Sequence, residues 1–303
     1  MTVKSTAQLA GGPASAAVGA TTRRHRLPRH FMQRAAAFSL ASLGAVIFLA
    51  PALWMLSTSL KTLPETLAFP PVWIPRTLRW DNYPHALTAL PFLTYARNSV
   101  VVSVSILIGE VLTNSFVAYG FARLRGFGRK WLFLLVLSTM MVPFPVLIIP
   151  QYVLFKNLGW IDTLLPLIVP PWFGSAFLIF LMRQFYMTIP RELDNAAEID
   201  GCGYFGIYWR IILPLSKPAL ASVAIFSFTY NWNDYLAPLV YLNSSDNYTL
   251  PLGLASFLGR PGTTIPWHEL MAASVVTVLP CILLFFFAQR YFIQGIVVTG
   301  VKG

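Results

Sequence analysis

Apolar positions in this chain run on in long stretches. They do not alternate with polar ones. Six stretches, about 35–60, 99–121, 131–154, 163–182, 218–241 and 271–294, come close to the roughly 20 apolar residues that a helix needs to cross a bilayer's hydrocarbon core. The stretches from 163 and 218 are interrupted by prolines and polar residues. Lipid offers no partner for free backbone N–H and C=O groups, so a spanning segment must bond internally. The pattern predicts an all-α integral membrane protein with six transmembrane helices.

The loops between these stretches differ sharply in charge. Sixteen of the 22 Lys and Arg residues fall in the tail 1–34, loop 122–130, loop 183–217 and the C-terminal stretch from Arg290. The remaining six fall in 61–98, 155–162 and 242–270. Cytoplasmic loops collect Lys and Arg, so a multi-pass membrane protein with both termini in the cytoplasm is expected. Tail 1–34 is rich in small residues and turns basic at Arg23-Arg24-His25-Arg26 and Arg29. It reads as a disordered cytoplasmic tail. A signal peptide is the rival, but its apolar region spans about 7–15 residues and the run after Arg34 is nearly twice that. Loop 61–98 carries Pro64, Pro70, Pro71, Pro75 and Pro84 and is expected to be extended or irregular.

Composition narrows the class further. Hydrophobic residues make up 56% and charged residues 11%, with a mean hydropathy of +0.63. Soluble domains carry about 25% charged residues. The net charge of +11 would point to nucleic acid in a soluble protein; here the loops account for it, and no nucleic-acid partner is expected. Cys202 and Cys281 lie far apart and make neither a disulfide framework nor a metal cluster. His25, His30, His85 and His268 lack metal-ligand spacing. None of the six lysines sits in a G-x-x-x-x-G-K-[ST] loop, so the chain has no phosphate cradle of that kind for ATP. No catalytic residue is assigned, and no metal or cofactor is expected on this chain. No internal repeat supports an inverted-repeat transporter.

The most informative segment is loop 183–217. Pro190 suits the first turn of a helix, and Glu192 and Asp194 favour the positive end of its dipole. Helix formers continue to Asp200, Gly201 permits a turn, and a second helical stretch from about 203 ends at Pro214. The loop thus reads as two short helices with a bend. Glu192, Asp194, Glu198 and Asp200 surround the small pair Ala196-Ala197, while Ile199, Phe205 and Ile207 are expected to be exposed for a partner's groove. The competing reading, an amphipathic helix on lipid headgroups, would prefer lysines on its polar face.

The order Asn195-Ala196-Ala197, three residues, Gly201, nine residues, Ile211-x-Leu213-Pro214 resembles the "EAA" loop of ATP-binding-cassette importer permeases. One departure is Asn195, where that family usually has Glu. The likeness continues through Asn98-Ser99, Ala118-Tyr119 with Ala122-Arg123, Met141-Val-Pro143-Phe-Pro145 with Pro150, Asn231-Trp232-Asn233-Asp234-Tyr235 and Gln289–Gly295. It is similar to the carbohydrate-uptake branch, nearest the smaller maltose-type inner-membrane subunit.

This resemblance implies a MetI-like (ABC transmembrane type-1) fold over 35–303. It implies assembly with a second, different permease subunit, two ATP-binding subunits that carry ATP and magnesium, and an extracytoplasmic binding protein that delivers a sugar. The loop would then be a coupling element, with Ala196, Ala197 and Gly201 as its docking core. Arg191, Glu192, Glu198 and Asp200 would form the rim, and Leu213-Pro214 would close the motif.

Glu110 and Asp234 lie within the apolar stretches, where a carboxylate costs about 2.5–3.5 kcal/mol on insertion scales. With Tyr230, Asn231, Trp232, Asn233 and Tyr235, Asp234 offers hydrogen bonds and ring faces to a sugar; the same residues also suit a hydrogen-bond network between spans. An ion-coupled secondary transporter using Glu110 and Asp234 is the rival function. A glycerol phosphate derivative is the rival cargo, although no Arg or Lys lies deep in the spans to receive a phosphate. In the importer reading, Gly201→Trp inserts normally into the membrane but uncouples ATP hydrolysis from uptake. Normal transport by that variant would refute the coupling-loop assignment.

Overall fold

The computed structural model describes residues 29–259 and 264–300, all helix and connecting turns. Most of the expected tail 1–34 lies outside these residues. Its last six, Arg29–Arg34, already belong to helix α1 (Arg29–Ser59), which therefore starts earlier than expected. Residues up to Ala50 and residues from Pro51 form two compact units. In the first, Phe38, Leu40 and Phe48 are exposed, an apolar surface that suits lipid.

In the second unit, loop 61–98 contains helices α2 (Leu63–Leu67) and α3 (Asn82–Ala89), contrary to the irregular chain its prolines predict. A local device overrides them. Glu65 accepts hydrogen bonds from the backbone N–H and hydroxyl of Thr62, a capping box, and from the N–H of Arg76. These bonds hold its carboxyl below the ordinary carboxylate range. Lys61 is buried just before this turn, its ammonium 3.9 Å from the centroid of the Trp54 ring. Burial lowers its pKa.

Helix α4 (Phe92–Arg123) is 32 residues long and extends beyond the expected 99–121 at both ends. It is the centre of the fold. Gly109 lies so close to Trp172 that a Cβ there would stand 2.5 Å from the indole ring, which explains why this helix position has no side chain. One apolar core packs Ala118, Tyr119 and Ala122 against Leu178, Met182, Tyr186, Ile207 and Ile212. Another packs Val102 and Ile106 against Phe155, Leu167 and Tyr241.

The chain bends sharply at two places. Helices α5 (Arg129–Ser138) and α6 (Phe144–Asn157) meet at 96° around Val142-Pro143, because Pro143 and Pro145 cannot donate to the helix ladder. The next span contains α7 (Leu165–Ile168) and α8 (Ala176–Thr188), so Arg183 is helical and the following loop starts after Thr188. It leads through α9 (Glu192–Ile199), α10 (Tyr204–Ile207), a wide π-turn over Tyr208–Ile212 and α11 (Leu213–Leu215). Pro214 sits inside this second helical stretch and does not end it; the widened turn precedes the position where proline lacks its N–H. The chain then bends by 78° into α12 (Lys217–Trp232).

The expected continuous span 218–241 is interrupted: α12 stops at Trp232, and α13 (Leu236–Tyr241) resumes after three residues. Helices α14 (Leu250–Ala255) and α15 (Trp267–Gly300) complete the chain. Among the described residues four helices are long and apolar enough to cross a membrane, and there are up to six spans if each bent pair is one span.

A clamp joins two loops at one end of this bundle. Asp162, at φ +61°, accepts bonds from the N–H groups of Asn243 (2.9 Å) and Ser244 (2.8 Å) and from the Ser244 hydroxyl. These bonds, the hydroxyl's above all, hold its carboxyl far below the ordinary carboxylate range. A depressed pKa favours the folded state above the unfolded value near 3.9, and that advantage falls as the pH drops below it. Asp162→Asn keeps a residue that tolerates positive φ, removes the charge and exchanges the oxygen that accepts from the Ser244 hydroxyl for an NH2 group. The variant is expected to melt several degrees lower than the parent at pH 7 in detergent. The gap should narrow progressively below about pH 4; a gap independent of pH would refute the clamp.

Candidate functional site

The bend in 190–214 is built from the backbone upward. Gly201 has φ +83°, a region that side-chain-bearing residues rarely adopt. The N–H of Gly201 bonds the Glu198 carbonyl (3.0 Å), and that of Cys202 bonds the Ala197 carbonyl (2.8 Å). This is a Schellman closure of α9, and it reverses the chain into α10. A Cβ on Gly201 would meet nothing within 4 Å, so the outer face of the bend is open.

Helix α4 holds this loop with three side chains spaced four residues apart, which places them on one helix face. The Ser115 hydroxyl bonds the hydroxyls of Tyr186 (2.9 Å) and Tyr208 (2.7 Å). Tyr119 donates to the Tyr204 carbonyl at 2.9 Å. Arg123 pairs with Asp194 at 3.1 Å and donates to the carbonyls of Tyr186 and Ile189, both at 2.7 Å. The Arg123 side chain is 3% exposed and that of Asp194 15%, so water screens this pair little.

The structure divides the expected docking residues. Glu192, Asn195, Ala196, Glu198, Asp200 and Gly201 are exposed, as are Ile199 and Phe205. Ala197 and Ile207 are not: both pack into this chain's own core, because they fall on the helix faces turned toward α4 and α8. Asp194, grouped in sequence with the outward acids, turns inward to Arg123. Leu213 is half-buried and Pro214 exposed. A groove of about 460 Å³ runs beside α9, lined by Arg123, Arg125, Arg191, Asp194, Asn195, Glu198 and Tyr204. Asn195 contributes an uncharged amide to this mixed-charge groove.

The break after α12 forms a second polar feature. Tyr230 and Asn231 near the end of α12 and Asp234 in the break after it line a cavity of about 220 Å³ with Gln151, Tyr241 and Thr249. Asp234 Oδ1 accepts the N–H groups of Leu236 (3.1 Å) and Ala237 (3.4 Å), so it also starts α13. The rest of the expected pathway stretch points elsewhere. Trp232 is buried and donates to the Thr277 carbonyl at 3.0 Å. Asn233 donates to the Thr229 carbonyl at 2.7 Å, and exposed Tyr235 is absent from the cavity wall. Glu110 lines a neighbouring cavity of about 410 Å³ with Ser175, Ser227 and Tyr230. Among the described residues no group of His, Cys, Asp and Glu could hold a metal ion.

Sequence reasoning did not find Gln151, Tyr241 and Thr249. Gln151, which accepts from Tyr241 at 3.0 Å, had a faint signal as a lone amide in an apolar run. The Ser115–Tyr119–Arg123 stripe had a clearer one, namely polar residues at helical spacing in a span.

Residues 110–298 match the family described as binding-protein-dependent transport system inner membrane component. The chain belongs to that family. Among the relatives of this permease, the arabinooligosaccharides transport system permease protein AraQ of Halalkalibacterium halodurans is 41% identical over 233 residues, 77% of this chain and 82% of that one. The sn-glycerol-3-phosphate transport system permease protein UgpE of Yersinia enterocolitica is 34% identical over 244 residues, 78% and 86% of the two chains. The crystal structure of a bacterial ABC transporter that imports the acidic polysaccharide alginate has the same fold. Its TM-score is 0.76 at 22% identity, over 88% of this chain and 98% of that one. The MetI-like fold and the identity as a sugar-type ABC importer permease follow.

Removing one member of a buried pair leaves the other unpaired, at a cost of about 3–5 kcal/mol. Arg123→Ala also frees two carbonyls. In detergent it is therefore expected to lower the melting temperature of the permease more than Asp194→Ala does. Equal shifts would show that the bonds to Tyr186 and Ile189 add nothing.

Proposed function

We propose that this permease forms half of the pathway for a sugar in an ATP-driven importer and couples to a cytoplasmic ATP-binding subunit through 190–214. The observation that carries this reading is the loop's construction. Its outer face is open at Ala196, Ile199, Gly201 and Phe205, and its inner face is fastened to α4 through Arg123, Tyr119 and Ser115. A partner pressing on the outer face would move α4, and α4 backs both cavities through Val102, Ile106 and Glu110. Nucleotide shifts such an equilibrium only by binding one state better than another, so the connection between loop and span must be stiff.

In this arrangement ATP and magnesium reside on two ATP-binding subunits. A second, different permease completes the pathway, and an extracytoplasmic binding protein delivers the cargo. The excess of Lys and Arg in the loops on one side supports a cytoplasmic location for both termini. A sugar is favoured as cargo because Tyr230, Asn231 and Gln151 present hydrogen-bonding groups and a ring to the cavity, and because AraQ is named for arabinooligosaccharides.

The test is mild solubilisation of the tagged chain from its native membrane, followed by identification of what copurifies and by uptake in vesicles. A second permease and an ATP-binding subunit are expected, with uptake that stops on ATP depletion. Recovery as a lone protein whose uptake persists without ATP would establish an ion-coupled transporter instead.

A further inference from the structure

The two cavities beside α4 share Tyr230 and carry one carboxylate each, Asp234 in the first and Glu110 in the second. Among the described residues no Lys, Arg or His lines either one. A cluster of acids can be mere structure, but a further group points to a ligand. Thr249 is 4% exposed, lines the first cavity, and its hydroxyl has no hydrogen-bond partner. Glu110 is 8% exposed and lines the second, where the Ser227 hydroxyl stands beside its carboxyl. A buried polar atom without a partner is costly, and proteins retain such atoms where something else supplies the bond. Asp234 is fixed in place because its Oδ1 accepts two N–H groups at the start of α13; its other oxygen accepts no bond among the described residues.

We propose that these cavities admit uncharged polyhydroxyl cargo and turn anions away, with Asp234 and Glu110 as the discriminating groups. This rests on the pathway reading above. Hydroxyl groups can donate to Asp234 and Glu110 and can bond Thr249, and the Tyr230 ring offers a face to a sugar. A carboxylate or phosphate has no donor to give and meets like charge in a site without a cation. UgpE is named for a phosphorylated cargo and the alginate transporter for an acidic one; the cavities of this permease, with two carboxyl groups and no Lys, Arg or His among the described residues, suit an uncharged one.

The test reads cavity electrostatics directly in the assembled transporter in membrane vesicles, without ATP. Cys202 and Cys281 are replaced by serine, and Asn231→Cys supplies one thiol in the cavity wall. Labelling of this chain is followed by mass, with an uncharged glucosyl methanethiosulfonate and with the anionic sulfonatoethyl reagent, each rate taken relative to free cysteine. The glucosyl reagent is expected to label at least about tenfold faster on this scale, a typical size for local charge effects on encounter rates. Asp234→Asn with Glu110→Gln should erase most of that preference; the amide oxygen that Asp234→Asn introduces can still accept the two N–H groups, so α13 keeps its start. Equal rates for the two reagents, no labelling by the glucosyl reagent, or a preference that survives both substitutions would each overturn the proposal. Failure of ATP-driven uptake would count against the pathway reading alone, since these rates need neither ATP nor transport.

Discussion

The buried guanidinium of Arg123 ties together stretches of chain that lie more than sixty residues apart. It meets a carboxylate on α9 and two carbonyls at the end of α8, and all three partners are shielded from water. In water such a pair would contribute little. Here neither partner can leave without stranding the other, so α9 is held at one angle to the end of α4. A short helix of eight residues, too brief to be stable alone, thereby becomes a rigid extension of a 32-residue one.

Helix α4 is held at its other end in the same manner. The Asn98 amide donates to the carbonyls of Asp246 (2.8 Å) and Tyr248 (3.0 Å), and the Ser99 hydroxyl accepts from the N–H of Leu250 (2.7 Å). Between these grips the helix presents Val102, Ile106 and Glu110 to the cavities. Lipid gives packed helices no hydrophobic drive toward each other, so small residues and polar bonds supply the cohesion, each bond adding about 0.6 kcal/mol on average. Several of them on one unbroken helix make it a shaft, while the bends at Pro143, Ser216 and Asn233 mark the neighbouring segments as jointed.

How much of this was legible in the sequence depended on the range of the interaction. The two-helix loop and its glycine bend follow from local turn chemistry, and the structure contains them; the apolar runs give four long apolar helices among the described residues and up to six spans if each bent pair is one. Helix continuity was less legible: Pro143 announced one break, but the stop at Trp232 comes from Asp234 capping a new helix start, which apolar composition conceals. Side-chain direction was least legible. Ala196 and Ala197 are neighbours in sequence, yet one faces out and the other in, because helix phase is fixed by contacts with α4 and α8 that only the folded chain reveals. The inward turn of Asp194 and the cavity role of Thr249 depend on partners far along the chain, Arg123 being 71 residues from Asp194, beyond any local pattern.

The double grip on α4 also limits how the chain can change in length. Each residue of an α-helix advances the axis by about 1.5 Å and turns it by roughly 100°. An insertion or deletion of one residue between Ser99 and Ser115 would rotate one polar stripe off its partners while the other stayed engaged. Loops such as 124–128 tolerate added residues; the interior of α4 does not. The helix can therefore change its lipid-facing side chains freely while its residue count between the two grips stays fixed.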